Sequence, residues 1–316
     1  MIGMSINGMP ALRRAGALAA LLWAASAQAI VLSDSSSSPS AGASLNAVGM
    51  LNIARSDGNW GCSGSLLAGG DYVLTAAHCI SGASGTATTN SLSVSFAGGA
   101  VTSTGLAYYV DPSWNGSLDA GNDLALVKLS SPVTTVAGLG LDGASAQGST
   151  VELAGYGYTG TGASGYTSGT FGTLHFGYNQ YDATSAFYGS NGVSSAVYLY
   201  DFDNGKSRDN VFGSLGLGSS MEAMIAPGDS GGPSLVQVNG QWLIAGVHSF
   251  IGCLSSGCTP DSSFGQYAGD SSIFANSVWV DSVVAVPEPE TWAFMLAGLA
   301  VVAAIRRRGV GANAAP

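Results

Sequence analysis

Gly228-Asp229-Ser230-Gly231-Gly232-Pro233 is the stretch whose reading decides the fold, taken with Thr75-Ala76-Ala77-His78-Cys79 far upstream. The first run presents a serine in a glycine-rich turn, and the second sets a histidine beside a cysteine. Between them stands Asn122-Asp123-Leu124-Ala125-Leu126, an acid at the mouth of an apolar strand. A serine hydroxyl attacks well at neutral pH only if a base takes its proton as it does so. Histidine suits that task, and a carboxylate behind it fixes the tautomer. Each block alone is a short match. Three blocks in the order His, Asp, Ser, each beside a strand-like run, are far more specific.

The surrounding sequence reads as all-β. Short apolar or β-branched runs alternate with Gly, Asn, Asp and Ser: Tyr72-Val73-Leu74, Leu92-Ser93-Val94-Ser95-Phe96, Leu124 to Leu129, and Val151-Glu152-Leu153-Ala154. The 47 glycines fit a turn-rich architecture. Helical period is confined to Asn276 to Val286. Ser33 to Ser44 reads as a linker, and Tyr158 to Gly172, nearly all Gly, Thr and Ser, as a mobile loop outside the core. Asp201-Phe202-Asp203-Asn204-Gly205 with Asp209 has oxygen ligands for calcium. Its glycine falls one place early for such a loop and no glutamate closes it, so Asn204-Gly205 reads as a hairpin turn between Val197-Leu199 and Val211-Phe212. No metal and no cofactor are expected.

Charge narrows the partners. From Ile30 to Val286 four cations, Arg55, Lys128, Lys206 and Arg208, face seventeen acids. A surface this acidic argues against nucleic acid and anionic membrane.

The three blocks resemble the trypsin/chymotrypsin-like serine protease family, as do Cys62-Ser63-Gly64-Ser65-Leu66-Leu67 and Gly246-Val247-His248-Ser249-Phe250. The resemblance covers Val48 to Val284. It implies two antiparallel six-stranded β-barrels with a short C-terminal helix, and a cleft between the barrels that holds the site. It makes Ser230 the nucleophile, His78 the general base and acid, and Asp123 the residue that orients His78. Gly228 and Ser230 would supply the oxyanion-hole N–H groups. Asp229 would be buried against a newly made N-terminal amine, and cleavage after Ala29 would expose Ile30-Val31 for that purpose. Cys62 and Cys79 match the pair that staples the histidine loop. The family ties the next wall to a cysteine just before the nucleophile turn, but Met221 to Pro227 has none, which leaves a local Cys253–Cys258 bridge, with metal binding the weaker alternative. Met224 stands at the pocket base. Because it is not an acid, a small or apolar residue before the scissile bond is expected rather than Arg or Lys. His248 occupies a position where some relatives read glutamate; filling the barrel wall is its plainer role. Ser249, Phe250 and Ile251 would pair with the substrate backbone.

Both ends read as addresses. Arg13-Arg14, apolar Ala15 to Ala25 and small residues at Ala27-Gln28-Ala29 describe a signal peptide over residues 1–29. Export makes disulfides the expected state of the cysteines. Val286-Pro287-Glu288-Pro289-Glu290, apolar Thr291 to Ile305 and Arg306-Arg307-Arg308 resemble the PEP-CTERM sorting signal of Gram-negative bacteria. That implies an exosortase-type processing enzyme; a plain anchor helix is the alternative, and either leaves the body outside the inner membrane. The expected division is an arm over 30–46, a peptidase domain over 47–285 with barrels at about 47–150 and 151–275, a sorting segment over 286–309 and a tail over 310–316. The reading is a monomeric, exported serine endopeptidase, processed by signal peptidase and exosortase. The alternatives are a glutamate-preferring protease, an esterase using the same triad, and a catalytically silent matrix-binding module.

Overall fold

The structure is a computed structural model, and it describes residues 30–34, 40–184, 196–213, 216–217, 221–255 and 257–285. The expected signal peptide and sorting segment lie outside these residues. In chain order the elements are β1 (Val31–Leu32), β2 (Val48–Arg55), β3 (Gly58–Leu66), β4 (Tyr72–Thr75), α1 (Ala77–Ser81), β5 (Thr89–Phe96), β6 (Val101–Val110) and β7 (Ala125–Leu129). There follow β8 (Gly140–Leu141), β9 (Thr150–Gly155), β10 (Thr159–Thr161), β11 (Gly165–Thr167), β12 (His175–Gln180), β13 (Ala183–Thr184) and β14 (Val197–Asp201). The last are β15 (Ala223–Met224), β16 (Pro233–Val238), β17 (Gln241–Gly252), β18 (Tyr267–Ser272) and α2 (Ile273–Val284).

The N-terminal half closes into a barrel in the order β2-β3-β4-β7-β6-β5. The period-two pattern accounts for it. In β5, Leu92, Val94 and Phe96 turn inward while Ser91 and Ser93 face solvent. Leu51 and Ile53 of β2 and Leu66 of β3 fill the same interior. Each such aliphatic side chain contributes roughly 1.5–3 kcal/mol on full burial.

The C-terminal half is a curled sheet, β12-β9-β16-β17-β18-β14-β13, with β8 beside β17. Rather than a second closed barrel, it is a half-barrel accompanied by a small sheet, β11-β10-β1-β15. β14 is buried along its whole length, which its apolar run Val197-Tyr198-Leu199-Tyr200 permits only because its phenols are satisfied. Tyr198 Oη accepts from Ala146 N at 3.0 Å, and Tyr200 Oη donates to Asp270 Oδ1 at 3.3 Å.

Three local readings are corrected. Tyr158 to Gly172 is a β-hairpin, β10 with β11, whose Tyr158 and Tyr166 pack on the core. Composition hid this, because the hairpin takes its place by pairing with the distant strand β1. Asn204-Gly205 makes a turn, with Gly205 at φ +78°, but no hairpin follows. The Asp201 carboxylate takes the Val211 and Phe212 amides, and β14 pairs instead with β13 and β18. The final helix begins at Ile273 rather than Asn276, because Ser272 caps it through the Ala275 N–H. Among the described residues no helix is long and apolar enough to cross a membrane.

Candidate active site

His78 sits in the single turn of α1, directly after β4, and Asp123 sits two residues before β7, the strand paired with β4. That pairing brings the two residues together across 45 positions of sequence. Nδ1 of His78 lies 2.6 Å from Oδ2 of Asp123, and the His78 backbone N–H donates to Oδ1 at 2.8 Å. Ser249 Oγ donates to Oδ2 at 2.5 Å. Fully buried, Asp123 therefore spends both oxygens on holding the imidazole and on one supporting hydroxyl. Asn276 of α2 braces this loop: its Nδ2 donates to Gly121 O at 2.9 Å, and its Oδ1 accepts from Asn122.

Ser230 lines the same cleft as His78 and Gly228. The Cys79 sulfur lies 3.9 Å from His78 Nε2 and 3.6 Å from the Ser230 carbonyl oxygen. The turn is pinned to the first barrel through Ser63, whose N–H donates to Ser230 O and whose Oγ donates to Gly228 O, each at 2.9 Å. His248 pins it to β17: its carbonyl accepts from Gly231 N and its N–H donates to Gly232 O. Gly228 has φ +99°, a conformation a side chain would strain. Both expected disulfides are formed, Cys62–Cys79 and Cys253–Cys258.

Asp229 is fully buried. Gly157 N–H and Ala226 N–H donate to it at 2.7 and 2.9 Å, and burial pushes its carboxyl up to about 6. Its close fit needs a glycine at 157, since a Cβ there would stand 2.6 Å from the carboxylate carbon. Ile30 is also fully buried, and Val31 pairs with Gly160 on one side and Met224 on the other. Met224 is thereby enclosed. His248 is enclosed as well, its Nδ1 3.0 Å from Asp270 Oδ1, with its Nε2 buried and without a hydrogen-bond partner. Ser249, Phe250 and Ile251 lie together on β17, where a bulge interrupts pairing with β18. His175, the third histidine, lies on β12; burial pulls it down to about 4 and keeps it neutral.

Two neighbours of the site were missed in the sequence. Arg55 is almost fully buried; its Nη1 donates to the carbonyls of His78 at 2.6 Å and Cys79 at 2.9 Å, while Nε and Nη2 grip both oxygens of Asp57. It is the one Arg or Lys between Ile30 and Lys128, a scarcity that was the available signal. Phe171 belongs to the segment read as a loop, and it lines the cleft.

Asp201, Asp203 and Glu222 form a buried group whose oxygens lie within 4.8 Å of one another; Asp209 is not part of it. Backbone amides already engage these oxygens, Gly205 on Asp203 and Asp203 and Leu217 on Glu222. Burial pushes Glu222 up to about 7 and Asp201 up to about 6. The folded state thus holds protons that the unfolded chain releases at lower pH, so this contribution is present below the unfolded values and is lost as pH rises through about 7. Melting temperature should fall on the order of a few degrees from pH 5 to pH 8, and Glu222→Gln should flatten that slope. A thermal scan of both proteins at the two pH values checks it.

A two-lobed β fold with a histidine–carboxylate pair and a serine turn at the lobe junction defines a serine hydrolase class. The family profile described as Trypsin matches residues 36–269, and the chain belongs to that family, the trypsin-like serine endopeptidases. A second profile, the PEP-CTERM protein-sorting motif, matches residues 285–308. It marks a secreted protein sorted to the cell surface in Gram-negative bacteria and implies exosortase processing. Among solved structures, the fold is similar to one titled HL collagenase, with 20% identity and a TM-score of 0.55, covering 77% of this chain and 95% of that one. No curated protein matches the sequence.

Proposed function

We propose that this endopeptidase cleaves peptide bonds through Ser230, His78 and Asp123 by an acyl-enzyme route. The observation that carries it is the 2.6 Å contact from His78 to the buried Asp123, in a cleft that Ser230 and Gly228 also line. His78 takes the Ser230 Oγ proton as Oγ attacks the carbonyl carbon. The Gly228 and Ser230 N–H groups receive the resulting oxyanion. The tetrahedral intermediate collapses as His78 passes the proton to the departing amine, and water, activated by the same imidazole, frees the acyl group. A fluorophosphonate probe should label the folded, mature protein at Ser230. Labelling at another residue, or none, overturns the assignment and turns attention to a silent binding module.

Ile30 is the residue we assign as the activating N-terminus, made by signal peptidase. Its complete burial supports this, as does the fact that among the described residues the donors to the Asp229 carboxylate are the Gly157 and Ala226 amides. An ammonium there would lower a carboxyl that burial raises to about 6. Leaving a buried charge unpaired costs about 3–5 kcal/mol, so extending the chain before Ile30 should lower kcat roughly 10²- to 10⁴-fold. N-terminal sequencing and the kinetics of the extended form decide it.

On the acyl side we assign a preference for small or apolar residues. Met224 is apolar and fully buried, paired in register with Val31, and offers no charge of its own to meet a substrate Arg or Lys. Complete burial of His248 does not favour it as a reader of glutamate. Cleavage profiling with Ala, Val, Glu and Arg before the scissile bond separates these preferences.

A further inference from the structure

We propose that Arg55 is a positioning residue of the reaction: it fixes the general base by holding the main-chain carbonyl of His78 while Asp123 holds the N–H of the same residue. The inference rests on the triad reading above and adds a residue to it.

His78 stands in a helix of five residues, Ala77–Ser81. A single turn cannot hold its own shape in water, so side chains must hold it. Ser81 Oγ donates to Ala77 O at 3.1 Å, and Thr89 Oγ1 donates to Ile80 O at 2.5 Å. The two carbonyls between these, His78 O and Cys79 O, accept from Arg55 Nη1 at 2.6 and 2.9 Å. The Gly82 N–H adds a bond to His78 O at 3.0 Å. At its other end the His78 residue donates its N–H to Asp123 Oδ1 at 2.8 Å. The backbone that carries the imidazole is thus gripped by an anion at the N–H and by a cation at the C=O. Together with the 2.6 Å contact from Nδ1 to Asp123 Oδ2, these grips set where Nε2 points.

Arg55 can act as a fixed clamp because it is itself fixed. Its Nε and Nη2 donate to the two oxygens of Asp57 at 2.8 and 2.9 Å, and Trp60 Nε1 donates to the same carboxylate at 3.2 Å. The guanidinium lies 4.7 Å from the Trp60 ring centroid. Its hydrogen bond to Asp57 holds that carboxyl below the usual range, so the pair stays ionised at neutral pH. Asp57 also balances the charge of Arg55, which leaves geometry as the main contribution of the clamp. That geometry belongs to arginine: a planar fork donates toward Asp57 on one side and toward two carbonyls on the other. A lysine keeps the charge, but its donors diverge from a single nitrogen and cannot span the same acceptors.

Arg55→Lys therefore separates geometry from charge. With the base slightly displaced, kcat for a peptide substrate should fall roughly 10- to 100-fold while KM stays within about twofold. Proton NMR supplies a readout that does not depend on turnover. The proton between His78 Nδ1 and Asp123 should give a low-field resonance, assigned by its loss in His78→Ala. In Arg55→Lys it should move upfield and broaden. The resonance of the second buried pair, His248 with Asp270, should stay in place and report an intact fold. Should Arg55→Lys fail to fold, Asp57→Asn keeps the arginine but loosens its seat, and kcat should fall roughly 3- to 10-fold with the same spectral change. Wild-type kcat and an unmoved His78 resonance in the folded variant overturn the proposal. A raised KM with unchanged kcat overturns it too, by making Arg55 a substrate contact. Wild-type protein with neither turnover nor a His78 resonance overturns the triad reading, and the role of Arg55 with it.

Discussion

Ser230→Ala should lower kcat on the order of 10⁶-fold, to the level that binding and the oxyanion turn provide alone. The size follows from what the hydroxyl does. Without Oγ there is no acyl-enzyme, and His78 has no proton to take from the attacking group. The fold should survive, because the turn is held by main-chain and neighbouring atoms rather than by Oγ: Ser63 donates to Ser230 O and Gly228 O, and His248 brackets Gly231 and Gly232. Steady-state turnover of a peptide substrate, with a thermal scan to confirm an unchanged melting temperature, checks both halves. Hydrolysis retained in the pure variant would remove Ser230 from the mechanism.

Asp123→Asn should cost on the order of 10⁴-fold in kcat with little change in KM. The carboxylate accepts from His78 Nδ1, His78 N and Ser249 Oγ at once, and it donates to none of them. An amide of the same shape must turn its NH₂ toward one of these. Facing Nδ1, it would force the proton onto Nε2, where the base needs a lone pair. Facing the backbone N–H or the hydroxyl, it would leave that donor unmatched in a fully buried spot, at about 1–3 kcal/mol. The loss should be partly recovered at high pH, where hydroxide replaces the missing general base. A pH profile of the variant showing the wild-type limb and rate would exclude Asp123 as the orienting residue.

Much of the site was legible in one dimension because its chemistry is carried by short blocks. Gly228 to Pro233 needs its glycines for a positive φ and close approach, and that requirement is visible as composition. The disulfide of the histidine loop was legible through the family resemblance, which pairs Cys62 with Cys79. Other contributions carried no local mark. Ser249 reaches Asp123 across 126 positions and Asn276 reaches Gly121 across 155. Nothing about a lone serine or asparagine announces such a partner; the meeting exists only once β17 and α2 have packed beside the Asp123 loop. Phe171 was passed over because its flanks are Gly, Thr and Ser, which read as loop when neighbours are ignored.

By itself the sequence determined the fold class, the candidate blocks in their order and the sorting motif near the C-terminal end, and its resemblance to the family implied the cysteine pairs that the structure forms. The fold class, the blocks and the sorting motif rest on local spacing, alternation or backbone freedom, which a single chain displays directly. Only the tertiary structure decided that the second half is a curled sheet rather than a closed barrel, that β10 and β11 are strands, that Met224 and His248 are enclosed and that Arg55 clamps the His78 turn. Each of these depends on which distant segment lies alongside, and burial of that kind is a property of the packed chain, set by contacts far apart in sequence.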